Sequence, residues 1–315
     1  MGRFSIRFSL KLFFLATLCF CLATFSWAQQ DGFSQSENDR FLIPEQKIAS
    51  EEEEFLTSER KIPSEKKEVL TRGQKTLLLN GGAMVAIFIY GLAQWDYGKS
   101  SFNFKNEGWF ERDTKYGGAD KLGHFWSSYG LSHLFSYAYR KWGYTDSEAN
   151  LYGALSNLGV QTFMEVADGF SSHGFSYEDM IMNAVGAGAA YVWGKYPSVA
   201  RKIDFRIEYT PCLSSRDFAF STKYERQTFL IAIKADGFNF IKNPYLRYLE
   251  VHVGYNGRGY RDDHDRRNAP DDHRRTIYLG VGFNVSKLVQ KFVNTKIFDY
   301  IQIPYTSVRK GFPLD

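Results

Sequence analysis

The sequence predicts an α+β protein: a four-helix, membrane-associated bundle followed by a small antiparallel β-sheet. Three observations predict it. Four long stretches between residues 75 and 193 read as helices, with start signals at Asp146 and Ser176 and stop signals at Gly143 and Gly169. From residue 203 the apolar period switches to two, the signature of strands. The chain is 17% aromatic and holds 27 glycines, which points to tight packing, contact with a membrane interface, or both.

The N-terminus decides the compartment. Arg3, Arg7 and Lys11 precede an apolar run from Leu12 to Phe25, and Ser26-Trp27-Ala28 offers small residues at a cleavage site. Residues 1–28 therefore read as a secretory signal peptide, cut before Gln29. The competing reading is an uncleaved anchor, since such a run can just span a bilayer. Cys19 and Cys21 lie inside the run, without the small-residue context of a lipobox, and Cys212 is left as a lone thiol in the mature chain. Residues 29–72, rich in Glu, Ser, Lys and Gln, form a charged tether that buries too little to order itself.

Residues 73–197 form the helical unit. The first helix runs from about Lys75 to Gln94, its Leu77–Ala93 core carries no charge, and Trp95 and Tyr97 follow as interface aromatics. The second spans about Ala119–Trp142, the third Asp146–Asp168 and the fourth Ser176–Trp193. Asp146 and Ser176 are expected N-caps, Gly143 and Gly169 expected C-terminal glycines. Gly186 and Gly188 allow close backbone approach. Lys and Arg are not distributed asymmetrically between the connecting segments, so the positive-inside rule sets no orientation. Membrane association rests on the first helix and the aromatics.

Residues 203–293 form the sheet, with a short terminal helix at about Ser286–Val293, and 294–315 a tail. Strands are read at Phe205-Ile207-Tyr209, Phe229-Ile231-Ile233, Leu249–Tyr255 and Ile277–Phe283. Four or five strands cannot close a membrane barrel. The last two are joined by a charged loop, Asn256–Arg275, with two Asp-Asp-His triplets that neighbouring arginines pair better than a metal would. The net charge of +4 is small, and no basic stripe with stacking aromatics is present, so nucleic acid is not an expected partner. Lipid is the expected partner, with an envelope protein as a further one.

Chemistry-bearing residues fall on three successive helices. Asp120 and His124 are four apart and share a face. Asn157, Gln161, Glu165 and Asp168 make a polar stripe, and Asp179 and Asn183 another. These stripes are either solvated faces or the lining of one enclosed cluster. Convergence is the expectation, because helices one and four offer little other polar surface. Enclosed, Asp120, Glu165 and Asp179 need neutralising by His124, Lys121, amides, a shared proton or a metal. Asp120, His124, Glu165 and Asp179 are the metal-ligand set, and a divalent cation the cofactor it would take. His133 reads as packing between Tyr129 and Tyr137, and His173 as a loop residue close to Asp168.

The string Asp120-Lys121-Leu122-Gly123-His124-Phe125 resembles the D-K-x-x-H-F opening of the YfiM-like family of predicted periplasmic lipoproteins. Glu165-Val166-Ala167-Asp168 matches that family's E-x-x-D. Gly174 to Asp179, then Asn183 and Gly186, matches its G-x-S-x-x-D-x-x-x-[DN]-x-x-G close. The resemblance covers residues 75–196 and implies a periplasmic or envelope location without implying a reaction. A more distant similarity runs to VanZ-like membrane proteins through D-K-x-x-H and D-x-x-x-N-x-x-G. This chain lacks the lipobox of the short members and adds the tether and strands.

The functional expectation is an exported envelope protein, favoured as a non-catalytic structural or lipid-associated binding component built on a buried polar cluster. The alternatives are a membrane-surface enzyme, such as a metal-assisted hydrolase of lipid or glycan, and an assembly protein that pairs through its strands. No serine sits in a nucleophile elbow.

Overall fold

The computed structural model describes residues 70–210, 224–260 and 272–315. The expected signal peptide, residues 29–69 of the tether, Cys212 and the centre of the charged Asn256–Arg275 loop lie outside the described residues. Within them the chain is mixed α and β.

Four long helices come first: α1 (Arg72–Gln94), α2 (Ala119–Lys141), α3 (Asp146–Asp168) and α4 (Tyr177–Lys195). Their ends follow from local chemistry. Thr71 and Gln74 form a capping box before α1, and Thr145 and Glu148 form another before α3, each satisfying two orphan N–H groups. The cap of α3 is thus Thr145 and not Asp146, which instead opens the helix and accepts from Arg140 Nε at 2.8 Å. Ser176 caps α4 as expected, its hydroxyl accepting from Asp179 N. Gly143 takes the left-handed conformation expected of a helix end, with φ 79°. Gly169 does not; its φ is −53°. It is glycine because a Cβ there would meet the Phe102 ring at 2.3 Å.

Helix α2 packs along both α3 and α4, α3 packs along α4, and α1 lies mainly along α3. Gly186 permits the α2–α4 approach, since a Cβ there would sit 2.3 Å from the Phe125 carbonyl oxygen. Gly188, the second expected contact glycine, faces open space. Among the described residues, α1 is the one helix long and apolar enough to cross a membrane, with mean hydropathy 1.8 and 6% of that window buried. Its Leu77, Leu78, Val85 and Ile89 are exposed, as are Leu155 on α3 and Val185 on α4.

After the short strands β1 (Phe104–Lys105) and β2 (Phe175–Ser176), which pair in parallel, and the single turn α5 (Pro197–Ala200), the chain enters a sheet. It comprises β3 (Ile203–Tyr209), β4 (Gln227–Lys234), β5 (Leu249–Arg258), β6 (Arg274–Phe283), β7 (Ile301–Gln302) and β8 (Ser307–Pro313), with α6 (Val285–Val289) after β6. The order is β7-β3-β4-β5-β6-β8. Two expectations are corrected. The 294–315 stretch is not a tail, since it supplies both edge strands. The sheet is not purely antiparallel either, because β7 pairs with β3 in parallel. Two-residue β7 is too short to show a period, and Lys310 interrupts the alternation of Val308 and Phe312 in β8.

The two edges are joined by residues 303–306 alone. Six flat strands would set the edges about 24 Å apart, whereas that link reaches at most about 18 Å. The sheet therefore rolls, and Arg309 on β8 reaches Glu208 on β3 at 2.5 Å.

The roll sorts side chains inversely to a water-soluble sheet. Ile231, Leu249, Val251, Leu279 and Val281 are exposed, while Asp204, Arg206, Glu250, His252, Asn256 and Gln302 are buried. The charged groups of the buried set are paired with one another, as burial of charge requires, and Asn256 donates to the Thr228 and Tyr278 hydroxyls. Arg206 donates to both oxygens of Glu250 at 2.7 and 3.0 Å, to Asp204 at 2.7 Å and to Gln302 at 2.8 Å. His252 Nε2 lies 2.8 Å from Glu250. The apolar face meets the helices along β3, where Ile207, with Phe229 of β4, packs on Ala119, Leu122 and Trp126 and Phe205 packs on Phe125, Tyr129 and Trp193. Trp126 Nε1 and Trp193 Nε1 donate to the Tyr300 and Ile203 carbonyls there.

Candidate functional site

Chain direction gathers the chemistry. Helices α2 and α4 begin, and α3 ends, at one end of the helical layer. Asp120 and His124 on the first turns of α2, Glu165 and Asp168 on the last turn of α3, and Asp179 and Asn183 on the first turns of α4 meet there. Asp120, Glu165, Asp179 and Asn183 are all buried.

Two trios of ligand-type side chains share Asp179. In the first, Glu107, Asp120 and Asp179 surround the ammonium of Lys121. Lys121 Nζ lies 2.6 Å from Glu107 Oε2, 3.1 Å from Asp120 Oδ2 and 2.8 Å from Asp179 Oδ1. Lys115 adds a second cation, 2.5 Å from Glu107 Oε1. In the second trio, one nitrogen of His124 and one oxygen each of Glu165 and Asp179 fall within 4.8 Å of one another. His124 Nδ1 is 3.4 Å from Glu165 Oε1, and Nε2 is 3.6 Å from Asp179 Oδ2. His124 Nδ1 makes no hydrogen bond. Asn183 Nδ2 steadies Glu165 Oε1 at 3.3 Å.

The two trios differ electrostatically. Burial raises the Glu107 carboxyl, but Lys115 and Lys121 outweigh it and hold it at about 2. Burial pushes the Glu165 carboxyl well above its usual range, and Asp179 and Asp168 push it further. Burial pushes the His124 imidazole down against the pull of Asp179. Burial also lifts Asp120 to about 7, against Lys121, and Asp168 to about 7, against the neighbouring Tyr97 hydroxyl. The first trio thus holds its own cation. Around the second, negative charge is resisted.

The second trio faces a cavity of about 310 Å³, lined also by Lys115, Ser127, Gln161, Asp168, His173 and Tyr224. The expected residues are placed as follows. Asp120, His124, Glu165, Asp179 and Asn183 converge, and Asp168 lies on the cavity wall beside Tyr97. His124, Glu165 and Asp179 lie close enough together that they could hold a metal ion, whereas Asp120 falls in the other such group, with Glu107 and Asp179 around Lys121. His173 lines the cavity, and His133 packs edge-on to Tyr129 at 4.7 Å. Asn157 turns inward, donating to Ser128 O at 3.0 Å and Ser128 Oγ at 2.6 Å. The Ser127 and Ser128 hydroxyls donate to the His124 and Asn183 carbonyls, an occupation that suits packing better than nucleophilic attack.

Sequence reasoning missed Glu107, Lys115 and Tyr224. Glu107 and Lys115 sit in the irregular link between α1 and α2, where no period marks an inward side chain. Tyr224 comes from the strand region, far away in sequence.

Residues 106–195 match a protein family described as "Predicted periplasmic lipoprotein (DUF2279)". The matched segment contains Glu107, Lys115 and all six residues expected at the site. The description agrees with the periplasmic-lipoprotein resemblance of the motifs and with an exported chain of the periplasm or envelope. Neither the curated proteins nor the solved structures returned a match.

Proposed function

We propose that this envelope protein is a membrane-surface enzyme, a metal-assisted hydrolase whose divalent cation is held by His124, Glu165 and Asp179. One observation carries the reading. Of two trios of ligand-type side chains sharing Asp179, one contains the Lys121 ammonium, while the other opens on a cavity with no Lys or Arg ion pair to Glu165 among the described residues. An imidazole gives a metal one nitrogen, and one nitrogen of His124 with one oxygen each of Glu165 and Asp179 fall within 4.8 Å of one another, against roughly 3.4 Å between ligands about 2.1 Å from a tetrahedral metal. One imidazole with two carboxylates is a donor set for zinc or manganese. Such an ion lowers the pKa of a bound water or polarises a substrate oxygen. Asp168, held at about 7 on the cavity wall, is placed to move a proton near neutral pH.

Membrane contact is supported by the apolar outer surface. Exposed aliphatic side chains cover α1 and the outer face of the rolled sheet, while charged groups fill its interior. Contiguous apolar surface on this scale marks a lipid or protein contact.

A non-catalytic role is the second reading, favoured by the buried Lys121 group and the Asn157–Ser128–Asn183 chain, which secure helix register whatever else the cavity does. Pairing through strand edges has less support, because residues 303–306 bind the two edges of the roll together. Hydrolysis of a soluble aryl phosphate or aryl ester by the full chain, with and without Zn²⁺ or Mn²⁺, separates the first two readings. Metal-dependent turnover lost in His124→Ala supports the enzyme. A folded protein without turnover under any metal supports the structural role.

A further inference from the structure

The cavity changes character with depth. Its polar end holds His124, Glu165, Asp168 and Asp179, Ser127 and Gln161 line the next turn, and Leu131 and Ile87 line the part beyond them. The positions along each helix give the direction. Leu131 lies seven residues beyond His124 on α2, about 10 Å farther from the polar end. Ile87 lies eight residues before Trp95 on α1, about 12 Å down the same axis, and both line the cavity. Helix α1 is therefore a thin wall. It gives Ile87 to the cavity and turns Val85, Phe88 and Ile89 outward, where they are 59%, 43% and 51% exposed.

The mouth has its own apolar feature. Phe102, Phe104, Phe170 and Phe175 pack edge-on with ring centroids 5.1 to 5.5 Å apart. The strand pair β1–β2 and Asn103, whose amide donates to the Gly169 and Ser171 carbonyls, hold this knuckle rigid. Phe104 is 76% exposed. The loop that carries Phe170 and Phe175 also carries His173 and Gly174, which line the cavity. A fixed, exposed aromatic knuckle beside a titratable site is the arrangement that seats a site on a lipid interface.

We infer that the cavity takes an amphiphile from a lipid surface, its polar head at His124, Glu165 and Asp179 and one hydrocarbon chain running toward Leu131 and Ile87. The head placement rests on the cation reading above; the chain placement rests on Leu131 and Ile87 alone. A volume of about 310 Å³ holds about ten water-sized groups. That suits a small head with a short chain, or the inner part of a longer chain, and not a whole two-chain lipid.

The test uses the full chain, with and without one equivalent of Zn²⁺, and monoalkyl phosphates of butyl, hexyl and octyl length, below their micelle concentrations, with binding read by calorimetry. Affinity is expected to rise with length by up to roughly fourfold per methylene, as hydrocarbon burial dictates. Leu131→Asn and Ile87→Asn, each checked for folding by circular dichroism, are expected to flatten that dependence. Leu155→Asn, on the outer surface at 55% exposure, is expected to leave it intact. Equal affinity for all three chains would overturn the inference, as would a length dependence that survives both cavity variants. Metal titration of the same samples keeps the two readings apart. A length dependence sensitive to Leu131, without metal uptake, retains the amphiphile and removes the cation. One-to-one metal uptake without a length dependence does the reverse.

Discussion

Lys121 Nζ stands 2.8 Å from Asp179 Oδ1, joining the start of α2 to the start of α4. The other oxygen of the same carboxylate faces His124. Asp179 is thus shared between a group that holds two ammonium ions, Lys115 and Lys121, and one that holds none, and the functional reading follows from that difference.

Lys121→Met tests the group that holds the ammonium ions. It would leave Glu107, Asp120 and Asp179 clustered without their central cation, and removing one partner of a buried charge cluster costs about 3–5 kcal/mol. Thermal melts should fall by on the order of 10 °C. An unchanged melting temperature would mean that solvent already compensates these carboxylates.

Glu107 sets a stability window in acid. Its folded-state pKa is depressed from 4.5 to about 2, so its contribution is complete above pH 4.5 and disappears as pH falls toward 2. That contribution is on the order of 3 kcal/mol. Denaturant titrations at pH 6, 4 and 2.5 should show the wild type losing this increment, and Glu107→Gln should lack that part of the pH dependence.

Gly186→Ala and Gly188→Ala should part company. The first places a methyl 2.3 Å from the Phe125 carbonyl, and the second places one in open space. Overpacking costs about 1–3 kcal/mol, whereas the second change should be neutral or slightly stabilising through helix propensity. Equal effects in chemical denaturation would contradict the close α2–α4 approach.

Lipid contact is tested by vesicle flotation. Wild-type protein should float with phospholipid vesicles, and Phe104→Asp, which puts a charge on the exposed knuckle, should weaken flotation several-fold while leaving the melting temperature unchanged. Equal flotation of the two proteins would remove the knuckle from the contact.

The helices were legible from long stretches without breakers, helped by the side-chain caps Thr71, Thr145 and Ser176, though α2 starts at Gly118 without one, and Asp146–Asp168 is reproduced residue for residue. The stripes through His124, Glu165 and Asp179 were legible because spacings of three and four fix a face. What that face meets is a tertiary fact. Lys115 and Glu107 lie where the backbone has no period, and Lys121 adjoins Asp120 in sequence yet turns into the cluster only because Asp179 and Glu107 await it. In the sheet, the alternation through Leu249 and Val251 was plain, but alternation does not say which face water sees. The roll buries Glu250 and His252 and leaves the aliphatic face outside. It depends on edge strands with too little periodicity to announce themselves.

Metal titration of the apo protein with simultaneous measurement of proton release tests the central claim most directly. The account predicts about one divalent cation per chain, affinity that strengthens as pH rises because the Glu165 proton must leave, and loss of uptake in His124→Ala and Glu165→Ala with folding retained. No uptake by the wild type, or uptake unaltered in both variants, would contradict it.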